Sequence, residues 1–286
     1  MALVEIPKSP KLKNSNTQKL KNSKTQKKFR FNQLVNSSTC QLVNLKNMST
    51  PFFRFQQFLV RHDRCAMKVG TDGVLLGAWA RGGERILDIG TGTGLIALMM
   101  AQRYEHTIVD AVEIDAEACL QAEENVAESP FANRINVMCK PVQRFAMEEG
   151  RQMVYDAIVS NPPFFENALK NPDKGRLVAR HADTLPFADL FKAVKILLAE
   201  DGEFSVVIPT EYRGRIEEEA LLQGFSLARI CAIKTTPRKP VRRYLLAFRR
   251  HPSASIEEIV GVLELQPNVR SEWYEKLTKD FYIQRK

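Results

Sequence analysis

Apolar residues along the chain follow two rhythms, and the alternation between them predicts an α/β domain. Short, nearly continuous apolar runs rich in β-branched residues occur at 86–89, 108–114, 134–138 and 155–160, the signature of strands buried on both faces. Between them the apolar positions move to helical spacing. Val74, Leu75, Ala78 and Trp79 mark one helix, 95–103 a second, and 116–128 a third with Ala118, Ala122 and Val126 on its apolar side. A fourth, 186–198, starts on Pro186 and carries Phe187, Leu190, Phe191, Val194, Leu197 and Leu198. Strands alternating with helices imply an open, twisted, mostly parallel sheet covered on both faces. Further on, Gly202 ends a connection into a strand at 203–208, and a helix at 211–222 is closed by Gly224. Two strands follow at 225–233 and 241–248, and the stretch from Ile256 holds one strand and a helix with Trp273 and Leu277. The aromatic stretch 52–60 fits a short strand or a helix equally well. Thr71 or Asp72 is placed to cap the helix after it, and Asp115 the helix from Ala116.

The turns carry the chemistry. The strand 86–89 breaks into Gly90-Thr91-Gly92-Thr93-Gly94 directly before a helix, where glycines let the backbone approach a ligand at the helix N-terminus. This G-x-G-x-G spacing departs from the dinucleotide G-x-G-x-x-G. Glu113, at the end of the next strand and 19 residues after Gly94, is where a carboxylate accepts from ribose hydroxyls. Loop and acid together predict a nucleoside-bearing cofactor. Asn161-Pro162-Pro163-Phe164 then closes the strand 155–160, because two prolines forbid its continuation. The prolines remove two donors and leave stiffly held carbonyl oxygens, and the Asn161 side chain adds another acceptor. Such acceptors suit a planar exocyclic amine with two N–H groups to give, and Phe164 offers a face on which a flipped base stacks.

Charge changes this picture at the ends of the chain. Of the 286 residues 44% are hydrophobic, enough for a full α/β core, and no apolar run reaches membrane-spanning length. Residues 1–50 carry ten Lys and Arg against Glu5, so the entire +9 excess lies there and residues 51–286 are balanced. That segment also repeats itself: 11–18 recurs as 19–26 with Lys24 in place of Asn16, and Gln33-Leu34-Val35-Asn36 returns as 41–44. Such a composition predicts a disordered basic tail. The tail reads as an RNA-holding extension, a targeting peptide, or translated repetitive DNA ahead of a start at Met48, with the domain proper at 51–286. Cys40, Cys65, Cys119, Cys139 and Cys231 form no C-x-x-C pair, which points to reduced thiols in a cytosolic protein and to no structural zinc. The polar stretch 165–185 bears Lys170, Lys174, Arg176, Arg180 and His181, cations suited to phosphates beside a base-binding turn. Around the turn 234–240 a second basic group gathers Arg229, Lys234, Arg238, Lys239, Arg242, Arg243, Arg249 and Arg250, a candidate RNA surface.

Glycine loop, strand-end acid and NPPF, in that order, resemble the class I S-adenosylmethionine-dependent methyltransferases that act on exocyclic amines. The blocks Phe55-Gln56-Gln57-Phe58, 62–73, 160–164 and Leu245-Leu246-Ala247-Phe248 are similar to the bacterial tRNA1(Val) adenine N6-methyltransferase family over about residues 52–286. The resemblance implies a Rossmann-like sheet of seven strands with an antiparallel last strand, S-adenosylmethionine as methyl donor, and tRNA as the partner, modified just 3′ of the anticodon. It further implies that Gly90, Gly92 and Gly94, with Asp88, cradle the cofactor, that Glu113 holds its ribose, and that Lys68, Thr71 and Asp72 approach its methionine end. Asn161, the Pro162 carbonyl and Phe164 would hold the adenine, and Arg180, Arg238, Lys239, Arg242 and Arg243 would meet RNA. Pro141 stands where related enzymes usually have an Asp against the cofactor's adenine, which leaves that contact unassigned. The rival readings are another amine acceptor (rRNA guanine, DNA adenine or protein glutamine) and an RNA-binding protein without catalysis.

Overall fold

The strands at 86–89 and 155–160 are apolar on both sides because each lies in the middle of a sheet. The computed structural model describes residues 50–163 and 185–283, and residues from Thr50 onward form one compact unit separate from Met1–Ser49. The tail, Phe164, and Arg180 and His181 of the polar stretch therefore lie outside the described residues. In chain order the elements are β1 (Phe52–Arg54), β2 (Leu59–Arg61), α1 (Thr71–Trp79), β3 (Arg85–Ile89), α2 (Leu95–Arg103), β4 (Ile108–Glu113), α3 (Ala116–Ala127), β5 (Ile135–Cys139), α4 (Val142–Ala146) and β6 (Tyr155–Ser160). After the undescribed stretch come α5 (Phe187–Leu197), β7 (Leu198–Pro209), a 3-10 turn (Thr210–Tyr212), α6 (Arg213–Leu222), β8 (Ser226–Lys234), β9 (Val241–Arg249), β10 (Glu257–Val262), β11 (Glu264–Gln266), β12 (Val269–Arg270) and α7 (Glu272–Thr278).

One sheet takes the order β10-β8-β9-β7-β6-β3-β4-β5, parallel throughout except that β9 runs against both neighbours. The seven strands β3 to β9, with the antiparallel last one, match the expectation, and β10 adds an eighth by pairing in parallel with β8. From β3 the chain steps outward through β4 to β5 and then returns to lay β6 on the other flank of β3. The strand order thus reverses between β3 and β6, the crevice where open α/β sheets bind ligands. Alternate residues of these strands feed two apolar layers. Ile86, Ala157 and Val159 pack on one face with Leu75 and Leu98, and Leu87, Ile89 and Ile158 on the other with Phe191 and Phe204.

Several local expectations are corrected. Residues 52–60 form a hairpin of β1 and β2, closed by the Phe55 N–H donating to the Phe58 carbonyl. Gly202 does not end a connection but sits inside β7, which begins at Leu198. The register slips between the pairs Tyr155–Leu198 and Ala157–Glu203, and a Cβ on Gly202 would stand 3.0 Å from the Tyr155 carbonyl oxygen. The expected helix at 211 opens as a 3-10 turn before α6. Neither Thr71 nor Asp72 caps α1. Its N-cap is Gly70, without a side-chain bond, whereas Asp115 does cap α3 by accepting from the Ala118 N–H at 2.9 Å.

Two polar arrangements lie away from the crevice. Glu203, 3% exposed, accepts from Arg229 Nε and Nη2 (3.2 and 2.6 Å) and from Arg249 Nε (3.1 Å), so one carboxylate joins β7, β8 and β9. The Arg229 guanidinium, on a residue only 7% exposed, lies 4.0 Å over the Trp79 ring. At the ends of the unit, the Gln56 N–H donates to the Phe281 carbonyl, and Gln56 Nε2 donates to the carbonyls of Lys279 and Tyr282 (2.8 and 2.6 Å). Phe55 stacks on Phe58 and Tyr282 in the same place.

Candidate active site

The glycine loop owes its residues to backbone conformation. Gly90, Gly92 and Gly94 have φ of +70°, +56° and +79°, the left-handed region that costs other residues strain. Gly90 and Thr91 donate to the Val112 carbonyl at 2.9 and 3.1 Å, which fastens the loop to β4. A Cβ built on Gly90 or Gly92 would meet no atom within 4 Å, so the outer face of the loop is open. Beneath it lies Asp88, 0% exposed, whose Oδ2 accepts from the Thr91 hydroxyl (2.6 Å) and the Ala97 N–H (3.1 Å). Burial pushes its pKa up to about 7 against those two bonds, with the Glu113 charge adding to the rise. Asp88 was expected among the cofactor residues; enclosed as it is, its carboxylate instead ties the loop to the first turn of α2.

Glu113 ends β4 at the loop's rim. Its Oε2 accepts from the Gly92 N–H at 2.8 Å, and Oε1 from the N–H groups of Ile114 (2.8 Å) and Asp115 (3.0 Å). A carboxylate has about four lone-pair sites, so these three bonds leave one for a hydroxyl donor. Ile114, the next residue, is 48% exposed, an apolar side chain left uncovered at the same strand end. Pro141 serves as the N-cap of α4 without a side-chain bond, and Val142 behind it is buried.

The second anchor stands next to the first because of strand register. Ile89 pairs with Ser160, and the Ser160 hydroxyl donates to the Ile89 carbonyl at 2.9 Å. Gly90 and Asn161 are therefore the residues immediately beyond a matched pair on neighbouring parallel strands. Pro162 is buried, Asn161 half-buried and Pro163 exposed.

A cleft of about 710 Å³ opens where α1 begins, lined by Thr71, Asp72 and Leu75, by Thr210 and Glu211 beyond β7, by Ile233 and Thr235 of β8 and its turn, by Val241, Arg242 and Arg243 at the start of β9, and by Leu263. Arg243 Nε donates to Asp72 Oδ2 at 2.8 Å across it. Arg238 and Lys239 are exposed in the β8–β9 turn. Of the basic group proposed from sequence, Arg229 and Arg249 are instead spent on Glu203, and Arg250 donates to the Leu198 carbonyl at 2.9 Å. Sheet pairing turns Arg229 and Arg249 toward Glu203, and Arg250, just past β9, is drawn to the start of β7, leaving a smaller basic surface at the turn.

The methyltransferase small domain family matches residues 70–232. A tRNA1(Val) (adenine(37)-N6)-methyltransferase of Parabacteroides distasonis is 46% identical over 238 residues, covering 82% of this chain and 99% of the relative. The chain belongs to the tRNA1(Val) (adenine(37)-N6)-methyltransferase family. A member from Trichodesmium erythraeum is 45% identical over 235 residues, 81% of this chain and 97% of its own. The crystal structure of a predicted O-methyltransferase from Agrobacterium tumefaciens shares the fold, with a TM-score of 0.57 at 18% identity over 73% of this chain and 96% of that one.

In this chain the glycine loop, Glu113 and Asn161-Pro162 lie together at the switch point of the sheet, and Thr71, Asp72, Arg242 and Arg243 line the cleft at the start of α1. Three residues near these turns were not singled out from sequence. Ile114 could have been found as the apolar residue directly after the strand-end acid. Gln121 and Asn125 of α3 are 0% and 1% exposed, and their signal is a pair of amides one helical turn apart beside the apolar positions Ala118 and Ala122. Among the described residues no group of three or more His, Cys, Asp or Glu is placed to hold a metal ion, and no helix is long and apolar enough to cross a membrane.

Proposed function

We propose that the chain transfers the methyl group of S-adenosylmethionine to the N6 amine of an adenine in tRNA, adenine 37 of tRNA1(Val), in the cytoplasm, and that residues 51–286 carry the activity. The pairing of Ile89 with Ser160 carries this reading, because it sets the glycine loop and the Asn161-Pro162 turn side by side at the switch point of the sheet. The family relatives supply the acceptor: their names specify that adenine.

The residues present fit the cofactor. An open loop face over Gly90 and Gly92 gives it room, Glu113 keeps an acceptor for its ribose, and exposed Ile114 offers its adenine an apolar surface. Lys68, Thr71 and Asp72 hold the methionine end. When bound, S-adenosylmethionine supplies an electrophilic methyl on a sulfonium centre. The Asn161 side-chain oxygen and the Pro162 carbonyl accept the two N–H groups of adenine N6 and orient its lone pair for attack. Such orientation supplies most of the acceleration. As the new N–C bond formed, the sulfonium C–S bond would break with its electron pair left on the departing thioether, and the nitrogen would then give up a proton to solvent, so no strong general base is required. Phe164 completes the base site by stacking, a role resting on its place in the sequence. Arg238, Lys239, Arg242 and Arg243 meet RNA phosphates, with Arg180 assigned on sequence alone.

The test is to incubate the full chain with S-adenosylmethionine and unmodified tRNA transcripts, DNA and protein acceptors, followed by nucleoside mass spectrometry. N6-methyladenosine confined to the valine transcript is expected. Label in DNA or protein, with none in any tRNA, refutes the assignment.

A further inference from the structure

The stretch 62–70 has no helix or strand of its own, yet it joins β2 to α1 and is fastened at both ends to residues flanking the glycine loop. At one end Asn125 of α3 uses its whole amide. Its Oδ1 accepts from the Arg61 N–H at 2.9 Å, and Nδ2 donates to the Arg61 carbonyl (2.9 Å) and to the carbonyl of Thr93, inside the loop (2.8 Å). One turn earlier, Gln121 accepts from the Arg64 N–H at 3.1 Å and donates to Asp63 Oδ1 at 2.7 Å. At the other end a Cβ on Gly73 would come within 3.1 Å of Leu95, the first residue after the loop. Between the two lies Cys65, whose thiol is pushed up to about 12 by burial, with the charges of Glu113 and Asp115 adding to the rise.

We propose that Asn125, supported by Gln121, is a positioning residue that pins the 61–70 stretch across the glycine loop, so that the cofactor is gripped between stretch and loop. The inference rests on reading the loop as the cofactor cradle. The outer ion pairs Arg61–Glu128 and Arg64–Glu124 join the same elements but are about half exposed, and exposed pairs contribute little. The buried amides carry the connection, because leaving their backbone partners unpaired incurs a desolvation penalty that exposed pairs do not. A buried apolar residue would fill the same space on α3 but would join nothing to Thr93.

Asn125→Asp keeps the acceptor for Arg61 and loses both donations. Gln121→Met keeps the volume and unpairs only groups of the exposed residues Asp63 and Arg64, so it is the milder of the two variants and the one kept should Asn125→Asp fail to fold. Calorimetric titration of the full chain with S-adenosylmethionine is expected to show roughly tenfold weaker binding, equivalent to about 1.4 kcal/mol. Affinity for the tRNA transcript stays at the wild-type value, and amide hydrogen exchange quickens over 61–68. Wild-type cofactor affinity in a folded variant overturns the inference, as does an equal loss of cofactor and RNA affinity, which marks general loosening. If the wild-type chain takes up no cofactor, the proposed function fails and this inference falls with it; if only the variants match wild type, the inference alone fails.

Discussion

Replacing Glu203 by Ala should be among the most damaging single changes to stability while sparing the chemistry. Glu203 is 3% exposed and its two oxygens accept from guanidinium groups on two other strands, of which Arg229 is itself buried against Trp79. Removing the carboxylate leaves Arg229 charged, enclosed and unpaired, and breaking a buried pair in this way costs about 3–5 kcal/mol. Arg249 is a third exposed and recovers part of its hydration, which holds the cost within that range. For a domain of this size about 2–4 °C of melting temperature goes with each kcal/mol, so the variant should melt roughly 6–20 °C lower. Glu203 pairs with Ala157, near the amino end of β6, while the candidate site lies past Ser160 at the carboxyl end. The rate constant for methyl transfer, measured well below the transition, should therefore match wild type. The double variant Glu203→Met with Arg229→Met removes both charges together and should recover most of the loss, since apolar replacement of a buried pair is often neutral. Urea midpoints and calorimetric melts of wild type, Glu203→Ala, the two single Met variants and the double variant decide the matter. A single-variant loss below about 1 kcal/mol, or a double variant as unstable as the sum of its parts, refutes the reasoning.

Other predictions concern the loop, the turn and the tail. Asp88 has its pKa raised from 3.8 to about 7, so its stabilising contribution is fully present below pH 4 and is lost as pH rises through 7. Asp88→Asn should therefore flatten the stability–pH curve across that window, and urea midpoints at pH 5 and 7.5 with the same slope as wild type would count against the burial argument. Asn161→Ala should remove most turnover with cofactor affinity nearly intact; near-wild-type turnover would sink the amine-acceptor role. Arg242→Ala should weaken tRNA binding and reduce the dependence of log affinity on log salt by about 0.7, the single-strand value for one lost phosphate contact, read by filter binding across a salt series. A chain beginning at Met48 should methylate tRNA as the full chain does, and loss of activity on truncation would show that the basic tail takes part.

What could be read from sequence was what neighbouring residues decide among themselves. β3, the glycine turn and α2 follow from an apolar run, three glycines and a helical period within 20 residues, and Asp115 caps α3 through a bond three residues long. Distant partners decided the rest. Asp72 looked like a helix cap because nothing local reveals that its carboxylate meets Arg243, 171 residues away. Arg229 and Arg249 looked like RNA contacts because their charge is visible in sequence and their pairing with Glu203 is not. The same holds for β10, whose place as an eighth strand depends on β8, and for Asn125, whose bonds depend on Arg61 and Thr93 being brought to it. At Gly92 the local reading was sufficient, because a positive φ on a strand-to-helix turn selects glycine whatever lies beyond.

Gln56 is tied to carbonyls that follow it by 223 and 226 residues. A ribosome adding about 5–20 residues per second reaches them roughly 11–45 s after making Gln56. Throughout that interval the aromatic cluster of Phe55 and Phe58 has been synthesised and Tyr282 has not. The glycine loop and strands β3 to β6 have all been synthesised well before the β1–β2 hairpin can be latched, whereas β8 to β10 precede the latch by only a few seconds. Latching of the hairpin thus waits for residues 279–282, and a chaperone that binds aromatic segments has tens of seconds in which to find this one.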